Sequence, residues 1–106
     1  MYTFHLDSQY SDIFACIEYS EEQSLYLLYQ QDIPFITTLF EKFYTDYTFG
    51  IGELKSAQRD LMNLMTSKQR TTHHEKDDSS LQLLYKLVAI VSYALFHDSC
   101  LVGSGD

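Results

Sequence analysis

What the 106 residues use sparingly narrows the field first. There is one proline, Pro34, and only four glycines, too few for a collagenous or low-complexity chain. Two cysteines, Cys16 and Cys100, stand far apart without C-x-x-C spacing. They are expected to be small, reduced core residues in a cytosolic protein and not a disulfide or zinc ligands. No stretch approaches the ~20 apolar residues that span a bilayer, and the most apolar run, Leu87 to Phe96, follows Lys86 and reads as a buried helix. The opening MYTFHLDS lacks the basic flank and apolar run of a secretory signal, so a soluble, cytoplasmic protein is expected. Basic residues are also scarce: seven lysines and arginines face fifteen acids, for a net charge of −8.

That imbalance is local. Residues 1 to 53 carry nine acids against Lys42 alone, while residues 54 to 106 carry six of each sign. The same first half holds 13 of the 16 aromatic side chains. An acidic surface repels phosphate backbones and attracts basic partners, so direct nucleic-acid binding is not expected.

The length suits one globular domain, residues 1–106, able to bury somewhat over ~60% of the unfolded surface. From Leu81 onward, Leu84, Val88, Val91 and Leu95 repeat at helical spacing, flanked by Leu83, Leu87, Ile90 and Ala94. So broad an apolar arc predicts the central helix of the core, with Asp78 or Ser79 as its cap. Glu53 to about Ser67 is amphipathic, with Leu54, Ala57, Leu61, Leu64 and Met65 on one side, and should cover that core. Pro34 suits a helix's first turn with Asp32 as cap. In that helix Phe35, Ile36, Leu39, Phe40, Phe43, Tyr44 and Tyr47 span half the circumference, which would leave one aromatic edge uncovered. Ser20 with Gln23 matches a capping box opening a short helix through about Gln31.

Residues 2 to 7 alternate as a strand does, and Asp12 to Tyr19 is its hairpin partner or a helix, the strand pair being favoured. The tail CLVGSGD is a strand or coil that can pair with the N-terminal strand. Together these predict a mainly α fold, a compact bundle of about four helices with a short N-terminal β-hairpin.

Three short patterns invite chemistry. RTTHHEKDD, residues 70 to 78, places His73 and His74 beside Glu75, Asp77 and Asp78. Between two strong helices it reads as a polar loop whose acids favour the next helix's N-terminus, and no metal is expected there. HDSC, residues 97 to 100, strings a histidine and a cysteine consecutively through a turn, where a nucleophile and its base do not face each other. FGIGE, residues 49 to 53, has G-x-G but lysine at position 55, where a dinucleotide fingerprint needs glycine, and no clear strand before it. No catalytic residue and no cofactor is expected.

Acids and tyrosines share the same segments, IEYSEEQSLYLLYQQD and FEKFYTDYTF. Tyrosine offers rigid apolar area with a polar tip, and a field of one sign speeds encounter with an opposite charge. Glu18, Glu21, Glu22, Glu41, Tyr44, Asp46, Tyr47 and Glu53 are therefore the candidate partner-binding residues. In size, helix content, acidity and lack of catalytic motifs the chain resembles bacterial immunity proteins that neutralise contact-dependent-inhibition and colicin-type toxins. That resemblance implies a basic, nuclease-like toxin domain as partner, bound and occluded without chemistry. Two other classes share the character: a phage-type nucleic-acid mimic, and a helical scaffold or oligomerisation module without a charged partner.

Overall fold

The computed structural model describes residues 1–7, 9–43, 45–71 and 79–105. In chain order its elements are strands β1 (Tyr2–Leu6) and β2 (Gln9–Ile17), a 3-10 turn (Tyr19–Glu21), helices α1 (Glu22–Tyr29) and α2 (Pro34–Glu41), strand β3 (Tyr47–Phe49), helices α3 (Ile51–Thr71) and α4 (Ser79–Phe96), and strand β4 (Leu101–Ser104).

The alternation at the N-terminus places β1 inside a sheet. Tyr2, Phe4 and Leu6 are buried on one face, and Thr3 and His5 are half-buried on the other. β2 pairs antiparallel on one side of β1 and β4 on the other, and β3 adds to β4, giving the order β2-β1-β4-β3. Among the described residues the fold is thus mixed α and β, a four-stranded antiparallel sheet with four helices, and not a helical bundle carrying a two-stranded hairpin. The hairpin and the pairing of the tail with the N-terminal strand agree with expectation. The sheet's full extent was hidden because β3 and β4 are three and four residues long, too short for a period, and gain their stability from partners distant in sequence.

α4 is the central helix, as its breadth of apolar residues predicts. Its most buried line is Leu83, Leu84, Leu87, Ile90, Val91 and Ala94, while Leu81, Val88 and Leu95 are only half-buried, so the buried centre is shifted toward the expected flank while keeping Leu84 and Val91. α3 covers it with Leu54, Ala57 and Leu61. α1 packs on α4 through Leu25 and Leu28, and α2 packs on α1 with Phe35, Ile36 and Leu39 inward.

Helix ends depart from expectation in instructive ways. Glu18 and Glu21, not Ser20 and Gln23, form the reciprocal cap before α1, the Glu18 N–H donating to Glu21 Oε1 at 3.0 Å. Ile33 occupies the N-cap of α2, with Pro34 in its first turn as expected, because Asp32 takes a left-handed backbone (φ 64°) where the chain leaves α1. α2 stops at Glu41, so Tyr47 lies in β3 and not on the helix stripe. A strand does precede the G-x-G: Gly50 follows β3 and starts α3, its N–H donating to Glu53 Oε1 and its carbonyl accepting from Leu54 N–H, both at 2.9 Å. α4 ends in a Schellman motif, with Asp98 N–H on Leu95 O at 3.0 Å, Ser99 N–H on Ala94 O at 3.1 Å and Asp98 left-handed at φ 52°. HDSC is therefore a helix cap. Cys16 and Cys100 are free but half-buried and not core residues. Among the described residues no helix is long and apolar enough to cross a membrane.

Candidate protein-binding surface

Eight residues were candidates for partner contact, and the structure divides them into two groups and one absentee. Tyr44 lies outside the described residues, as does the 72–78 segment with both loop histidines. Among the described residues no three His, Cys, Asp or Glu side chains gather as metal ligands would.

The first group surrounds α1 and α2. Glu18 is exposed, Glu22 half-buried and Glu41 exposed at the last residue of α2. Glu21 is already engaged: its Oε1 accepts from the Glu18 N–H and, at 2.8 Å, from Lys86 Nζ on α4. Glu22 stands beside an aromatic cluster. Tyr29 and Phe40 stack at 4.6 Å between ring centroids, and Tyr26 lies 6.2 Å from Tyr29 and 5.7 Å from Phe40. Tyr19, Glu22, Tyr26 and Phe40 then line a shallow groove of about 500 Å³ with Ser20 and Gln23, and no lining residue is basic. Tyr19 is 54% exposed and Tyr26 46%.

Tyr26 is exposed because it falls on the side of α1 opposite Leu25 and Leu28, which a helical wheel shows. Its meeting with Phe40 is a product of α1 packing on α2, invisible in either segment alone. The aromatic edge expected to stay uncovered on α2 is present in part, as the half-buried Phe40.

The second group lies around β3 and the start of α3. Glu53 caps α3 through Gly50 N–H, and its other oxygen accepts from Tyr47 OH at 2.9 Å, the bond that chiefly raises the Tyr47 pKa. Asp46 is exposed. Its charge adds to a shift that burial dominates, pushing the Tyr2 hydroxyl up to about 12. That hydroxyl is buried with no partner among the described residues. Beside Glu53 opens a cleft of about 390 Å³ between α2 and α3, with Phe35, Phe49 and Ala57 among its lining residues. None of these three was a candidate, because the cleft exists only where α2, β3 and α3 meet.

A third surface contrasts with both. β2 carries an extra residue near Phe4, and Phe14 packs against Tyr93 of α4 at 4.5 Å. Nearby, Ile13 on β2 is 61% exposed, and Phe96 at the end of α4 is 84% exposed. No acid lines the groove between Phe14, Ala15 and α4, where Lys86 is the charged group.

Neither the family models, the curated proteins nor the solved structures yield a match to this chain.

Proposed function

We propose that the protein is a stoichiometric inhibitor of a basic protein, acting in the cytoplasm as the bacterial immunity proteins it resembles do, with a nuclease-like toxin domain as target. The observation that carries this reading is the groove lined by Tyr19, Glu22, Tyr26 and Phe40, without a basic residue in its lining, with the exposed Glu18 and Glu41 next in sequence to Tyr19 and Phe40. Exposed tyrosines at a groove are the residue type that anchors protein interfaces, since they bury much area for little rotamer entropy. The acids around them supply steering toward a positive surface.

The placement of Glu41 supports a role in binding. A carboxylate at a helix C-terminus opposes the dipole, at a cost of a few tenths of a kcal/mol, so its position contributes nothing to α2. Glu21 and Glu53 differ: each closes a helix start, and their charges serve the fold whatever they contribute to a partner.

The test begins with affinity capture from the native strain, followed by binding kinetics and activity measurements on the purified partner. Equimolar protein should abolish the partner's activity. Glu18→Lys, Glu22→Lys and Glu41→Lys together should slow association at low salt, with the difference shrinking as salt screens charges beyond ~8 Å at physiological ionic strength. Tyr26→Ala should mainly speed dissociation. An association rate indifferent to all three reversals at low salt would remove the groove's role and the inhibitor reading with it.

A further inference from the structure

The cleft between α2 and α3 has the form of a socket. Pro34, Phe35 and Thr38 form one wall, Phe49 lies at the base, and Gly52, Glu53, Ser56, Ala57 and Asp60 form the other. The Phe35 and Phe49 rings meet at 4.8 Å, giving an apolar floor. Two acids stand above it, and no lining residue is basic.

Their spacing is informative. Glu53 and Asp60 are seven residues apart on α3, two turns or about 10 Å along its axis, and both face the cleft. A cation over Ser56, between them, lies about 5 Å along the axis from each carboxylate. Glu53 is held by Tyr47 and Gly50, so it is presented without rotamer loss, and each of its oxygens keeps capacity for another donor. Arg59 lies 3.5 Å from Asp60 Oδ1, but its side chain is 70% exposed and it is not among the cleft's lining residues.

We propose that this cleft receives one arginine side chain from the basic protein partner. The aliphatic stem lies on Pro34, Phe35 and Phe49, and the guanidinium reaches Glu53, Ser56 and Asp60. This rests on the inhibitor reading above and adds a second contact, on a different face from the tyrosine groove. Arginine fits better than lysine because its planar head stacks on aromatic rings and bridges two acceptors, where an ammonium acts as a point charge.

Gly52 supplies a clean test. Nothing lies within 4 Å of where its Cβ would be, its φ is not positive, and it sits in the first turn of α3, so a side chain is accommodated there while obstructing the cleft. The experiment is an amide-resolved NMR titration of the full chain with an arginine-rich peptide, and with the same peptide carrying neutral citrulline in place of arginine. Saturable shifts are expected at residues 34–38 and 49–60 with arginine and not with citrulline. Gly52→Trp should weaken that binding about tenfold, and Asp60→Asn should weaken it with a shallower salt dependence, both at an unchanged or higher melting temperature. Shifts confined to Tyr19, Tyr26 and Phe40 would overturn the cleft assignment while leaving the inhibitor reading intact. Equal response to citrulline, no saturable response, or wild-type affinity in Gly52→Trp would each overturn it as well.

Discussion

The two halves of the chain use apolar side chains differently. α3 and α4 are long, 21 and 18 residues, carry five acids and six bases with their connecting segment, and bury aliphatic arcs against each other within the common core. α1 and α2 have eight residues each, far below the ~12–15 at which isolated helices become even marginal, so they exist only because Leu25, Leu28, Ile36 and Leu39 dock on the core. Yet α1 leaves Tyr26 and Leu27 exposed, with acids alongside. Apolar area that could stabilise the weakest helices is instead presented to solvent. Among the described residues both halves build the core, twelve buried apolar residues coming from 1–53 and ten from 54–106, and both expose rings, Tyr19 and Tyr26 in the first and Tyr85, Tyr93 and Phe96 in the second; only the first half sets its exposed rings in a segment with a large excess of acids.

The largest test of that contrast sets Leu87→Ala against Tyr26→Ala. Leu87 is fully buried at the centre of α4, and its truncation should cost about 3 kcal/mol through lost burial and a cavity. Tyr26→Ala should cost under ~1 kcal/mol, since nearly half its surface already meets water. Urea unfolding of the two variants checks this, and similar losses would make the tyrosine cluster part of the core.

Next comes Gly103→Ala, at the seam joining the halves. Gly103 of β4 pairs with Phe4 and Tyr47, and a Cβ there would overlap the Tyr2 ring. Tyr2 is itself packed by Phe4 at 5.4 Å and Phe43 at 5.6 Å, so it has little room to retreat. A loss of about 2 kcal/mol is expected from overpacking. The measurement is the urea midpoint alone and in combination with Tyr2→Ala, which should relieve the clash and make the two changes non-additive.

The smallest effect concerns the Tyr2 hydroxyl. Tyr2→Phe removes a buried group with no partner among the described residues, and should raise stability by about 1 kcal/mol near neutral pH. The folded state holds this proton until about pH 12, against an ordinary value of 10.0. Below pH 10 both states keep the proton and its contribution to stability is constant; as pH rises from 10 toward 12 stability falls, because the unfolded chain releases the proton first. Wild type should lose stability faster than Tyr2→Phe between pH ~10 and ~12. Parallel curves would place the hydroxyl in contact with water or a partner.

Much of this fold was legible in the residues, for reasons the particular elements show. Leu54, Ala57 and Leu61, like Leu83 to Ala94, repeat over several turns, and a long period leaves few alternatives. Tyr2, Phe4 and Leu6 alternate, which is enough for a strand once one face is covered. The local acidity was equally readable, since charge layout needs no coordinates. Tyr47 was misplaced because Phe43, Tyr44 and Tyr47 continue a helical spacing that the backbone abandons after Glu41, where β3 finds a partner in β4.

The sequence alone determined the helices of the second half, the N-terminal strand and the concentration of acids and tyrosines in the first half. These follow from periodicity and composition, which are properties of neighbours along the chain. Tertiary structure alone decided that residues 47–49 complete the sheet, as the strand beyond the tail. It also engaged Glu21 with Lys86, brought Tyr26 against Phe40, and opened a cleft between α2 and α3. Each of these joins segments that carry no local signal for one another, and their free energy appears only when the chain closes on itself.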